Sequence, residues 1–196
     1  QREVEYRHYI DARRAAESQR TAALQAQRRA QQYAYQNWYW QQQLAQQRRY
    51  ASSYNNAFYT APVAYRYVRD GRYYDINRYQ ADQLQEAVRR GYDAGVRAGI
   101  ADRRDNWRSD WRNNYAYQDA SYGYNGYYVD RREYNHYFRE GFQRGYQDAY
   151  GNDYRYGTYS GRDDYYNNNG NYYGSNDPVA VILTSVLQSI LGFQQY

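Results

Sequence analysis

The sequence predicts a mainly α-helical protein with a long N-terminal helical arm, one β-hairpin, a Gly-striped antiparallel helical hairpin and a hydrophobic C-terminal helix. Three observations lead there. Residues 1–61 are rich in Gln, Ala and Arg and contain neither Gly nor Pro, so nothing in them interrupts a helix. Two later segments place large residues every four positions beside a row of glycines, a helical period. The last 18 residues hold nine of the chain's 24 Leu, Ile, Val and Phe.

Those 24 residues are about 12% of a 196-residue chain, well below the ~20% that usually builds an aliphatic core. With 32 Tyr and 4 Trp, the core must be aromatic, with small residues between the rings. All 26 basic residues are Arg, and there is no Cys. Disulfides, thiolate nucleophiles and Cys-ligated zinc or iron–sulfur centres are therefore excluded, as are Schiff-base and P-loop lysines. Two His, His8 and His136, are too few for an all-His metal site. No cofactor is expected.

The arm, residues 1–61, reads as one or two helices from about Arg2 to Phe58. Its apolar residues are sparse and hold no sustained heptad, so it needs contacts from the chain's own body or from a neighbouring subunit. It also carries the whole net charge. Residues 1–50 have nine Arg against four acids, residues 51–196 have 17 of each, and no acid occurs from Ser18 to Arg69. Arg20, Arg28, Arg29, Arg48 and Arg49 are the candidate contacts to an anionic polymer. Beyond the arm the charges balance and no nucleic-acid module is present. Arg–Tyr stacking within or between chains is the expected use of these residues, and nucleic acid is not expected as a partner. Exposed Tyr and Trp leave a polysaccharide partner open.

Residues 62–150 follow. Asp70-Gly71 lies between two Tyr-rich extended runs, the signature of a two-residue hairpin turn. Asn77 with Gln80 forms a capping box, and the helix it starts runs to about Trp111. Leu84, Val88, Tyr92, Val96 and Ile100 make its large stripe, and Ala87, Gly91, Gly95 and Gly99 the small one. A second helix starts at Asp130 with Glu133 in the capping-box position. It repeats the pattern 50 residues on, with Gly141, Gly145 and Ala149 beside Tyr134, Phe138, Phe142, Tyr146 and Tyr150. Each helical Gly costs about 1 kcal/mol relative to Ala. The compensation expected is close helix–helix packing through Gly91, Gly95, Gly99, Gly141, Gly145 and Ala149. Arg89, Arg90, Asp93 and Arg97 among these glycines exclude a membrane span. Neither Gly run follows a strand in phosphate-loop spacing.

Residues 151–177 are a Tyr/Asn/Gly-rich linker; Asp163-Asp164 within it lacks the Glu of a calcium hand. Residues 178–196 read as a hydrophobic assembly helix, started at Asp177-Pro178 and stopped by Gly192. It is shorter than the ~20 residues needed to span a bilayer. Ile182, Leu183, Val186, Leu187, Ile190 and Leu191 are its candidate assembly residues, because so small a core leaves little to bury them. No nucleophile–base–orienter set can be assembled, so an enzyme is not expected. His136 is read as a hydrogen-bonding residue.

The stretch from Tyr65 to Gly157 resembles a family of uncharacterised secreted Tyr/Gly-rich bacterial proteins. The resemblance rests on Tyr73-Tyr74, the run from Ala87 to Trp107, the YGYNG segment Tyr122–Gly126 and the FRxGFxRGY motif Phe138–Tyr146. It implies a shared fold and export from the cell, and no activity. A start at Gln1 rather than Met agrees with a processed, secreted chain. The function expected is a secreted structural protein that self-assembles into an extracellular filament or surface/matrix polymer through arm and C-terminal helix. The alternative is an anionic-polymer binder (nucleic acid or polysaccharide) using the acid-free basic arm.

Overall fold

The computed structural model describes residues 2–49, 56–160 and 180–196. The arm is two helices, α1 (Arg2–Ala26) and α2 (Ala30–Arg49), separated where Arg28 turns left-handed at φ 56°. A short 3-10 turn, Asn56–Thr60, leads into the hairpin of β1 (Val63–Arg69) and β2 (Arg72–Asn77). Its turn is the expected one, with positive φ at both Asp70 (51°) and Gly71 (73°), which matches the right-handed twist of the strands.

Helix α3 (Arg78–Arg104) starts on the expected capping box: Asn77 Oδ1 accepts from the Gln80 N–H and Gln80 Oε1 from the Asn77 N–H, both at 3.1 Å. It stops short of Trp111, and residues 107–114 form a loop with a single 3-10 turn at Trp111–Asn113. After α4 (Tyr115–Asp119) comes α5 (Arg131–Gly151). Asp130 caps α5 by accepting from the Arg132 N–H at 2.7 Å. Glu133 does not close a capping box; its carboxylate is taken by the Tyr67 hydroxyl and the Arg69 guanidinium, which ties the hairpin to the start of α5.

The glycines do what their spacing predicts, but in the opposite relative direction. A methyl group on Gly91 would meet the Phe138 carbonyl, one on Gly95 the Phe142 carbonyl, and one on Gly99 the Tyr146 carbonyl at 2.7 Å. From the other side, Gly141 faces the Val88 carbonyl and Gly145 the Tyr92 carbonyl. Residue numbers rise together along the contact, so α3 and α5 are parallel, and the expectation of an antiparallel hairpin is wrong. The physical reason is symmetry. Each repeat meets its own counterpart at the same step, Gly91 on Phe138 and Gly141 on Val88. The same offset is kept one turn on, Gly95 on Phe142 and Gly145 on Tyr92, which a pseudo-twofold axis along the helices produces and one across them does not. The connection across residues 105–130 then has to return the full length of the pair. The YGYNG loop is the last part of that return, with Tyr122 and Tyr124 buried.

The core is aromatic, as the composition requires. Tyr35, Tyr39, Tyr92, Tyr134, Tyr146, Phe138 and Phe142 are among its largest fully buried side chains. Along α5 the rings of Tyr134, Phe138, Phe142, Tyr146 and Tyr150 follow one another at centroid spacings of 6.5, 6.4, 6.3 and 5.7 Å, one per helical turn.

The C-terminal segment also departs from expectation. Ala180–Ile182 is a strand, β4, antiparallel to β3 (Gly157–Tyr159). The helix, α6, covers only Thr184–Leu191, and Gly192 ends it in the left-handed conformation (φ 58°). Gln194–Gln195, β5, pairs with β1, so the larger sheet has the order β2-β1-β5. The β-branched pair Val181-Ile182 suits a strand once β3 offers an edge. Ile182, Leu187 and Leu191 are buried in the chain's own core, Val186 and Ile190 pack against it half-buried, and Leu183 is 43% exposed. These residues are therefore mostly internal packing and not a free assembly face. Residues 161–177 of the expected linker, with Asp163-Asp164, lie outside the described residues, as does Pro178. One buried cluster runs from Tyr35 to Leu191, so the described parts of the expected segments share a core.

The close approach predicts unequal costs for adding one methyl group. Gly95→Ala drives a Cβ into the α5 backbone and should cost about 3 kcal/mol or more. Gly151→Ala, whose Cβ would have ordinary contact 3.5 Å from Asp153, should change stability by less than about 0.5 kcal/mol. Urea unfolding of both variants checks the contrast.

Candidate functional site

Chemistry at a protein site starts from poised titratable groups, and among the described residues three carboxylates are buried, Asp102, Asp119 and Asp148, each about 1% exposed. All three are used to hold elements together. Asp102 accepts from the Tyr146 hydroxyl at 2.6 Å and pairs with the Arg29 guanidinium, which lies 4.3 Å over the Trp107 ring. Close by in the chain, Asp105 accepts the Gln31 and Gln32 N–H groups at 2.9 and 2.8 Å, placing a negative charge at the positive end of α2. This pair of acids pins the α1–α2 corner to the end of α3. Asp119 accepts from the Tyr39 hydroxyl (3.1 Å), the Ser121 hydroxyl (2.8 Å) and Gln43. Asp148 accepts from the Tyr92 hydroxyl (2.8 Å) and the Arg155 and Tyr156 N–H groups (2.8 and 2.9 Å).

Burial sets the electrostatics of this set. It raises the Asp102 carboxyl above its ordinary value against the pull of Tyr146 and Arg29. It raises the phenols of Tyr67, Tyr92 and Tyr146 well above 10, helped by the carboxylates they donate to. His136 is lowered by burial and by Arg69, and its ring sits edge-on to Tyr137 at 5.0 Å. Among the described residues no group of three or more His, Asp or Glu is placed to hold a metal ion. No helix among them is long and apolar enough to cross a membrane.

The candidate polymer-binding arginines separate. Arg20 lies 4.4 Å over the Tyr115 ring and donates to Gln118 at 3.3 Å, and Arg29 is in the Asp102 pair. These two are internal clamps, a correction to the basic-arm reading, because Arg29 finds its acid on α3 and Arg20 its ring on α4. Arg28 is exposed; the side chains of Arg48 and Arg49 lie outside the described residues. Sequence reasoning missed Asp102, Asp105, Asp119 and Asp148, whose partners include residues far away along the chain. The one available signal was an acid-free arm facing a charge-balanced body.

Two surface features remain. The anchors of α1 among its described side chains include three in its second half: the Glu17 carboxylate accepts from Gln36 at 2.8 Å, Arg20 docks as above, and Leu24 is buried. In its first half Val4 is 51% exposed, and His8 and Asp11 are exposed, as is Arg14 just beyond. The second feature is a hollow of about 570 Å³ between α3 and α6, roofed by β1 and β5.

The raised phenols fix the direction of alkaline instability. In the unfolded chain a Tyr ionises near pH 10; in the fold Tyr67, Tyr92, Tyr137 and Tyr146 hold their protons higher. Above pH 10 the native state binds more protons than the unfolded one, so stability falls as pH rises, by about 1.4 kcal/mol per pH unit for each phenol. Absorbance from these buried phenolates should therefore appear in one cooperative step that coincides with loss of helical circular dichroism. Their gradual ionisation in an intact fold would contradict the arrangement. In comparisons with protein-family models, curated proteins and solved structures, none matches this chain.

Proposed function

We propose that this chain is a structural subunit, not an enzyme, that self-associates into an extracellular filament or surface polymer through the leading half of α1. The observation that carries this is the uneven anchoring of α1. A 25-residue helix is about 37 Å long; among its described side chains Glu17, Arg20 and Leu24 hold the second half, while Val4, His8 and Asp11 in the first half are exposed. A polar helix of a dozen residues is marginal in water, and a neighbour's surface would complete it. An arm docking on the body of the next copy makes a heterologous contact, which repeats into a ring or filament. Export is supported by the likeness of residues 65–157 to secreted Tyr/Gly-rich proteins. The apolar C-terminal segment is used inside the fold, which leaves the arm as the joining element.

Light scattering at rising protein concentration tests this. The full chain should grow in mass, and a chain lacking residues 1–14, which keeps all three anchors, should stay folded and monomeric. A full chain that remains monomeric, or a truncation that associates equally well, would overturn the proposal.

A further inference from the structure

The hollow between α3 and α6 has the chemistry of a binding site. Its floor is apolar and partly aromatic. Leu187 and Leu191 come from α6, and the Tyr65 and Phe193 rings lie 5.8 Å apart at 42°. Its rim is amide and hydroxyl: Gln85 on α3, Thr184 and Gln188 on α6, and Gln195 on β5. Among the described residues that line it, Arg89 alone is charged. Among the described residues, too, the Arg89 guanidinium has no carboxylate partner, only Gln85 Oε1 at 3.4 Å. Its neighbours in the fold already have acids in place, as Arg66 with Asp75 and Arg90 with Glu86. Arg89, Thr184, Gln188 and Gln195 are all exposed, so the mouth is open to solvent.

We infer that this hollow binds a carboxylated sugar, the uronate unit of an acidic polysaccharide. The chemistry narrows the ligand in three steps. One guanidinium without a carboxylate calls for one carboxylate, held by charge-assisted hydrogen bonds. A phosphate dianion would want a second cation or a nest of N–H groups, and the lining supplies neither. Amides and a hydroxyl both donate and accept, which matches sugar hydroxyls that do the same. The two rings offer flat apolar faces to the C–H side of a pyranose. At about 570 Å³ the hollow lies within the ~300–1,000 Å³ range of small-ligand sites. Arg89 also borders a smaller hollow of about 340 Å³ that contains Asp82 and Glu86. Those acids repel an anion and direct it to the α6 side. None of the described residues lining the larger hollow belongs to α1, so a chain lacking residues 1–14 keeps this lining and separates binding of the sugar from association of copies.

Isothermal titration of the full chain with a galacturonate disaccharide tests it, against a neutral disaccharide and an aliphatic dicarboxylate. The acidic sugar should bind, and both comparison ligands should bind at least about tenfold more weakly. Arg89→Gln should weaken the acidic sugar by about tenfold or more, and Gln188→Ala by a smaller factor. Both side chains are exposed, so thermal unfolding and circular dichroism of the variants should match the parent. No heat with the acidic sugar at millimolar concentration would overturn the assignment. So would equal binding of the neutral sugar or the dicarboxylate, or an Arg89→Gln variant that binds like the parent.

Discussion

The close parallel contact of α3 and α5 is the constraint from which the rest follows. Backbone meets backbone at Gly91, Gly95, Gly141 and Gly145, which leaves no room for side chains between the two helices. The large residues are pushed to the flanks, a row of rings along α5 and mostly aliphatic side chains with Tyr92 along α3. One flank is covered by α2 through Tyr35 and Tyr39, and the Tyr39 ring meets Tyr115 and Tyr122 edge-on at 5.7 and 5.6 Å. Another flank receives the hairpin and α6. A chain with few aliphatic residues can still bury a core this way, because each Tyr buries ~150–250 Å² and brings a hydroxyl that needs a partner.

That need for partners explains the buried acids. A phenol in a core must donate somewhere. Tyr39 finds Asp119, Tyr92 finds Asp148, Tyr146 finds Asp102 and Tyr67 finds Glu133. Several of these carboxylates also collect backbone N–H groups or an arginine, so a hydroxyl–carboxylate contact fixes a loop or a helix end as well. The zero net charge beyond the arm has its physical meaning here. The acids are counterparts of tyrosines as much as of arginines.

Local features are legible in the sequence, and long-range ones only in part. The Asp70-Gly71 turn, the Asn77–Gln80 box, the Gly192 stop and the glycine stripes all depend on a few neighbouring residues, and all are present. Helix direction is not legible from the stripes, because a row of small residues allows close approach from either direction. The 50-residue repeat does not settle it either, since a twofold axis can lie along the pair or across it; the direction is set by contacts at successive steps, Gly91 on Phe138, Gly95 on Phe142 and Gly99 on Tyr146. The tail misleads for a similar reason. Three residues, Ala180–Ile182, are too few to announce a strand until the β3 edge is known, and aliphatic density alone cannot say whose core will bury it. The pairing of Arg90 is legible, since Glu86 stands four residues before it and Arg89 has Gln85 at that spacing. Only the fold shows that Arg89 lies over the hollow.

The position of β5 bears on how the chain can be made. The outer edge of β1 is closed by Gln194 and Gln195, with the Tyr196 N–H donating to the Ala64 carbonyl at 3.2 Å and its hydroxyl to Asp75 at 2.8 Å. During vectorial synthesis, β1 emerges long before the strand that covers it. Until then its backbone groups face outward, where they can pair with the wrong chain. Contacts of such large sequence separation also form slowly. Arg66 and Asp75, ion-paired across the hairpin, place charge on that face throughout the delay, and so act as guardians of a nascent edge as well as ties in a finished sheet.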